Sequence, residues 1–470
     1  MKRLFVIALT LSLLAGGAGA VMRPAGLFSD NMVLQQGMPV PVWGIADDGE
    51  KIAVRFQDQQ LSTTAKDGKW MVRLAPLNAG GPYKLTVSGT NTIEFSNVLV
   101  GEVWVCSGQS NMGWPLSATA NAETDIAGAT NPNIRLYTVP HSASYTPLDD
   151  VHMSWENCEP DSARGFTAVG YFFGRELNKA LGVPVGLINS SWGGTFAEAW
   201  TSPEGFGKLA DYASWIADEN AKKPEGPNHP SVLYNGMIQP LIPFAIKGAI
   251  WYQGESNAGR AYKYRTLFPT MIASWRTGWG EGDFPFLFVQ LAPFKEIKAE
   301  PQESAWAELR EAQLLTALHC PKTGMAVITD FGDPKDIHPK QKEPVGARLA
   351  LAARKIAYGQ DIVYSGPIYK GMKRASDSIM VYFDHVGGGL VAKDGELKGF
   401  TIAGKDARFV NATARIVGGN KVVVSAPGVK NPVAVRYGWA DCPVVNLFNK
   451  DDLPASPFRT DDYPMVTRSK

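Results

Sequence analysis

The stretch EVWVCSGQSNM, residues 102–112, decides how the rest of the chain is read. Its first six residues are mostly apolar without strict alternation, as expected of a strand covered on both faces. The run then breaks into a polar turn that carries Ser110. Four runs of the same kind follow: PVGLINS (184–190), KGAIWYQ (247–253), PFLFVQL (285–291) and GMAVITD (324–330). Between them lie segments with helical spacing, at 168–182, 264–276, 304–319 and, after Pro344, 345–358, the last stopping at Gly359. Alternation of strands and helices predicts an α/β fold built on a parallel, doubly wound sheet of three layers.

The flanks read differently. Residues 22–98 hold short strand-like runs, KIAVRF, KWMVRLAPL and YKLTVSG, separated by turn clusters such as KDG and NAGGP. Residues 361 to about 455 return to this character with SIMVYFDHV, GFTIAG, ARIVGGNKVVVSA and PVAVRYGWAD. The expected organisation is a β-rich module at 21–98, an α/β domain at 99–360 and a second β-rich module at 361–470. Whether the two β modules pack together is open at this level. Residues 1–20 read as a signal peptide: Lys2 and Arg3 precede an apolar run, and Ala18-Gly19-Ala20 offers a cleavage site. That run is too short for a membrane span. The expectation is an exported protein, periplasmic or secreted.

Charge excludes some partners. With 46 basic and 45 acidic residues the formal charge is +1, which argues against nucleic acid or an anionic membrane as a partner. The four cysteines, at 106, 158, 320 and 442, are widely spaced and include no CxxC, so neither a disulfide framework nor a cysteine-based metal site is expected. A pairing of Cys158 with Cys442 stays open.

Ligands of doubly wound sheets bind beyond the carboxyl ends of the strands. Four turns stand there: GQSNM with Ser110, SWGGT (191–195), QGESN (253–257) and DFGDPKDIHP (330–339). Any one of them is ordinary loop chemistry. Together they hold a hydroxyl nucleophile, a histidine beside carboxylates, and glycines and amides suited to an oxyanion, which is the equipment of acyl transfer. Among six histidines, His338 is singled out because it follows a strand and lies two residues after Asp336. Pro339 disfavours a helical His338, and in an extended DIH segment both side chains point the same way. Asp333 is the alternative carboxylate. The G-x-S-x-G elbow of α/β-hydrolases is absent, since Met112 stands where its second glycine belongs.

GQSNM, WYQGESN and DIHP resemble the motifs of the SGNH-hydrolase superfamily, and more closely those of the sialate O-acetylesterase and carbohydrate acetylesterase group. The likeness covers most of the chain after the leader. It implies a serine esterase that removes O-acetyl groups from sugars by an acyl-enzyme route, without metal or cofactor. Carried residue by residue, it implies Ser110 as nucleophile, His338 as base with Asp336 beside it, and Gly193 or Gly194 as a backbone N–H donor, Gly194 being preferred. Gln253 or Asn257 would stand as side-chain donor, because QGESN replaces the superfamily's G-x-N-D pattern. Position 335 is Lys where D-x-x-H would place Asp, so Asp336 and Asp333 both remain in play. Rival readings are an acetylesterase for xylan or xyloglucan and a non-catalytic carbohydrate-binding protein. The latter would use some of the 13 Trp. Trp114, Trp192, Trp200, Trp251 and Tyr252 flank the motifs, and at least half are expected to be packing residues. The oligomeric state is not legible.

Overall fold

The computed structural model describes residues 21–213, 216–218 and 226–468; the expected leader lies outside them. The central sheet contains β1 (Thr92–Gly108), β2 (Asn131–Thr138), β3 (Glu156–Cys158), β4 (Val185–Ser191), β5 (Gly248–Tyr252), β6 (Phe286–Val289) and β7 (Thr323–Ala326). Their spatial order is β3-β2-β4-β1-β5-β6-β7. Every neighbouring pair is parallel except β2 with β3. β1 lies in the middle, and the chain winds outward from it in both directions, β4 on one side and β5 on the other.

The helices α1 (Ala168–Leu181), α2 (Ala261–Trp279), α3 (Ala305–His319) and α4 (Glu343–Ile356) cover the two faces. Side chains that alternate along each strand sort themselves between two cores. Trp104 and Cys106 of β1, Ile250 and Tyr252 of β5, and Leu287 and Val289 of β6 pack with α1 and α4. Val103 and Val105, Ala249 and Trp251, and Phe286 and Phe288 pack with α2 and α3. This explains why these strands read as continuous apolar runs.

β1 has two characters. Up to Asn97 its residues alternate between exposed and half-buried; from Val98 onward all are buried. Its first half pairs with Val33–Gln35 and Gly80–Ser88 of the N-terminal region, and its second half with β4 and β5. One strand therefore passes through the boundary expected at 98/99, and the N-terminal region shares the core on the α2 and α3 face. The C-terminal region builds its own sheets around Ile379, Val381, Phe400, Val422, Tyr437 and Phe458. Among the described residues its strands do not pair with the N-terminal ones.

Arg310 of α3, fully buried, fastens the C-terminal region to the α/β core. Its guanidinium donates to Leu291 and Ala292 on one side and to Ala440 and Asp441 on the other, at 2.7–3.0 Å. Arg310→Met would remove all four hydrogen bonds and leave the Leu291 and Ala440 carbonyls without a donor, since Ala292 O keeps Trp306 Nε1 and Asp441 O keeps the Phe294 N–H. It is expected to lower stability by about 3 kcal/mol, seen as a fall in the urea midpoint.

β2 and β3 are the central strands that sequence patterning does not show. β2 begins with Asn131-Pro132-Asn133 and buries only Ile134–Tyr137, so its apolar run is too short to stand out. All four cysteines are free thiols. No helix among the described residues is long and apolar enough to cross a membrane.

Candidate active site

The site forms where the direction of winding reverses, at the carboxyl ends of β4, β1 and β5. Gly108 closes β1 at φ +137°, and a Cβ there would lie 2.2 Å from the Tyr252 carbonyl oxygen, so only glycine lets the ends of β1 and β5 meet. The next residue locks the turn. The Gln109 N–H donates to Tyr252 O at 3.0 Å, and its side-chain oxygen accepts from the N–H groups of Gly254 and Ser256. On the other side the Trp192 N–H donates to Gly108 O at 3.0 Å. Ser110 then emerges as the first residue of a single helical turn, Ser110–Gly113.

Ser110 Oγ lies 2.9 Å from His338 Nε2, although 228 residues separate them. Asp336 Oδ1 stands 3.5 Å from His338 Nδ1 and accepts the His338 backbone N–H at 2.9 Å. The DIH segment is therefore not extended. Asp336 closes a bend by capping the backbone N–H two residues on, and the same bend carries its carboxylate to the imidazole. Asp333 is exposed and caps the N–H of Lys335 at 2.8 Å. Burial holds the His338 imidazole below its ordinary pKa, and the cation of Lys342 adds to this, while Asp336 opposes both.

Gly193 and Gly194 are exposed at the end of β4. A Cβ on Gly193 would come 3.3 Å from Ser110 Cβ, so of the two it is Gly193 that lies against the serine; the space around Gly194, at φ +74°, is open. Among the described residues the backbone N–H groups of Ser110, Gly193 and Gly194 have no protein acceptor.

The two amides expected as oxyanion donors have other partners. Gln253, fully buried, donates to Thr195 O at 3.1 Å and Asn257 Oδ1 at 2.6 Å, and accepts from the Tyr264 hydroxyl at 2.9 Å. An amide nitrogen has two hydrogens, and both are committed. Asn257 is 1% exposed, accepts the Ala197 N–H and donates to Glu198 Oε2 at 2.7 Å. Glu198, buried without solvent contact, is also paired with Arg260 at 3.0 Å. These residues brace the chain after β4 against the turn after β5.

Sequence reasoning quoted Asn111 without giving it a role, and it passed over Lys342. Asn111 is fully buried. Its Nδ2 donates to Glu255 Oε1 at 2.7 Å and to Ile337 O at 3.0 Å, and its Oδ1 accepts from Lys342 Nζ at 2.5 Å. One amide thus ties three of the four turns. Glu255, which burial pushes up in pKa, serves here as an acceptor. Of the flanking aromatics, Trp200, Trp251 and Tyr252 are core. Trp114 stacks on His338 with ring centres 4.9 Å apart, and Trp192 stacks on His141 at 4.2 Å.

Comparison with known proteins agrees with this architecture. The family model described as carbohydrate esterase, sialic acid-specific acetylesterase matches residues 100–354. A sialate O-acetylesterase of Mus musculus is 30% identical over 96% of this chain and 97% of its own length. That of Homo sapiens is 29% identical over 94% of this chain and 93% of its own. The crystal structure of a carbohydrate acetylesterase from Xanthomonas citri superposes with a TM-score of 0.88 at 44% identity, covering 94% of this chain and 100% of that one. The match spans β1 to α4 and includes all four turns, and the motif resemblance carried by GQSNM, WYQGESN and DIHP points the same way: the chain belongs to the carbohydrate esterase, sialic acid-specific acetylesterase family.

Proposed function

We propose that this protein is a serine esterase that removes O-acetyl groups from carbohydrates, with Ser110 as nucleophile, His338 as general base and Asp336 as the carboxylate that orients it. The observation that carries the assignment is the 2.9 Å approach of Ser110 Oγ to His338 Nε2 at the reversal point of the sheet. In the first step His338 takes the hydroxyl proton as Ser110 Oγ attacks the acetyl carbonyl. The oxyanion is held by the unengaged N–H groups of Ser110 and of the Gly193–Gly194 pair, each donor contributing about a hundred- to a thousandfold in rate. The sugar oxygen leaves with the proton from His338. Water, deprotonated by the same base, then attacks the acetyl-serine; the bond to Ser110 Oγ breaks, His338 returns the proton to that oxygen, and acetate is released.

The substrate is an O-acetylated sugar. The names of the mammalian relatives favour a sialate; the Xanthomonas citri relative, at higher identity, carries the broader description of carbohydrate acetylesterase, which keeps plant polysaccharide esters as a second reading. Acetate release from acetylated sialosides, xylan and xyloglucan decides between them. A wild type that hydrolyses neither these nor p-nitrophenyl acetate would sink the esterase reading in favour of a carbohydrate-binding protein. The carboxylate is tested separately. Asp336→Asn is expected to lower kcat about a hundredfold, less than a buried triad aspartate would, because its contact is long and half-exposed. Asp333→Asn is expected to leave kcat within about twofold. The reverse ranking would move the role to Asp333. An exported setting rests on residues 1–20 and is tested by the amino-terminal sequence of the protein recovered from cells.

A further inference from the structure

We propose that Lys342 is a positioning residue for the Ser110–His338 pair, acting through Asn111 and through the charge it places behind the imidazole. The proposal rests on the esterase reading above. Lys342 precedes α4 and is 1% exposed. Lysine is almost never so buried without a partner. The one hydrogen bond of its side chain among the described residues is to Asn111 Oδ1; otherwise the ammonium faces rings, with Nζ 5.3 Å from the centre of Tyr252 and 5.7 Å from that of Trp114. Filling that space needs only a methionine or leucine. An ammonium there does two things that an apolar chain does not.

First, it orients the amide. Asn111 must present its nitrogen to two acceptors, Ile337 O and Glu255 Oε1. Flipped, it would set its oxygen against both. A cation at Oδ1 forbids the flip, since it would then face the amide hydrogens. Asn111 is bonded in sequence to the nucleophile and in space to the residue before the base, so its orientation sets the distance between them.

Second, it opposes protonation of His338. Trp114 contacts both groups, stacked on the imidazole with ring centres 4.9 Å apart and with Lys342 Nζ 5.7 Å from its ring centre. The charged and titratable groups facing Lys342 are Asp336 and His338 from its own loop, Glu255 from the turn after β5, and the Tyr252 hydroxyl from β5. Burial brings Lys342 down to about 7. It is therefore charged over the lower range in which His338 takes up its proton, and like charge makes that uptake harder.

Two variants separate these effects. Lys342→Gln keeps a donor for Asn111 and loses the charge; Lys342→Met loses both. In both, the acid limb of kcat/KM for p-nitrophenyl acetate is expected to move to higher pH by about half a unit or more. Only Lys342→Met is expected to lose about tenfold in the kcat plateau as well. An acid limb unmoved in both variants would overturn the electrostatic role, and a plateau unchanged in Lys342→Met would overturn positioning through Asn111. The His338 ring resonance, assigned by its loss in His338→Asn, is titrated in parallel. It is expected to titrate below 6.5 in the wild type and higher in Lys342→Gln; a wild-type value at or above 6.5 overturns the proposal even if neither variant folds. Because that titration needs no turnover, a protein that hydrolyses no ester would defeat the esterase reading and still leave Lys342 decided.

Discussion

Ser110→Ala is expected to lower kcat for p-nitrophenyl acetate by about 10⁴- to 10⁶-fold while leaving the fold intact. The change removes one oxygen, and with it the atom that bonds to the acetyl carbon. What remains is an oxyanion pocket and an imidazole that can direct only water, which sustains a small residual rate. The fold should be indifferent to the change. Ser110 Oγ contacts His338 and bridges no buried structural groups, and the turn is held by the backbone of Gly108 and the side chain of Gln109. The thermal midpoint should therefore stay within a degree or two of the wild type, as for surface changes worth at most about 0.5 kcal/mol. Activity equal to the wild type would remove Ser110 from the mechanism, since no other serine is within reach of His338 among the described contacts.

His338→Ala is expected to cost about 10³- to 10⁵-fold in kcat, and its pH dependence carries more information than its size. A general base works only when neutral. Burial and the Lys342 cation hold His338 below the ordinary histidine value, so the imidazole remains neutral, and the enzyme active, to a pH lower than a solvent-exposed histidine would permit. As pH falls through the lowered value the base is protonated and kcat/KM falls with it. The residual rate of His338→Ala should lack this limb and rise with hydroxide concentration. A limb that persists in the variant would assign the titration, and with it the base, to another group.

Much of the architecture was legible in one dimension. The runs at 102–107, 184–190, 247–253, 285–291 and 324–330 are continuous because both faces of β1, β4, β5, β6 and β7 are covered, by helices and, on one side, partly by the N-terminal region. The helix expected at 304–319 is observed at Ala305–His319. β2 stayed hidden because only four of its residues, Ile134–Tyr137, are buried, and one of them is Arg135. The 98/99 boundary was drawn where the apolar pattern changes, but a pattern change records a change in what covers a strand, and β1 continues through it.

The candidate site divides along the same line. Ser110, His338 and Asp336 stood out because nucleophile and base chemistry requires those residue types, and because chain geometry places residues after parallel strands on one edge. Gln253 and Asn257 are also of a suitable type, yet Gln253 gives its hydrogens to Thr195 and Asn257, and Asn257 gives one to Glu198. Asn111 and Lys342 carried no signal at all, since an asparagine in a turn and a lysine before a helix are ordinary. Residue type determines what a side chain is able to donate, accept or titrate. Where each hydrogen is spent, and which buried charge faces the base, is decided only when four turns hundreds of residues apart are brought together, because hydrogen-bond capacity is finite and desolvation depends on everything packed around a group.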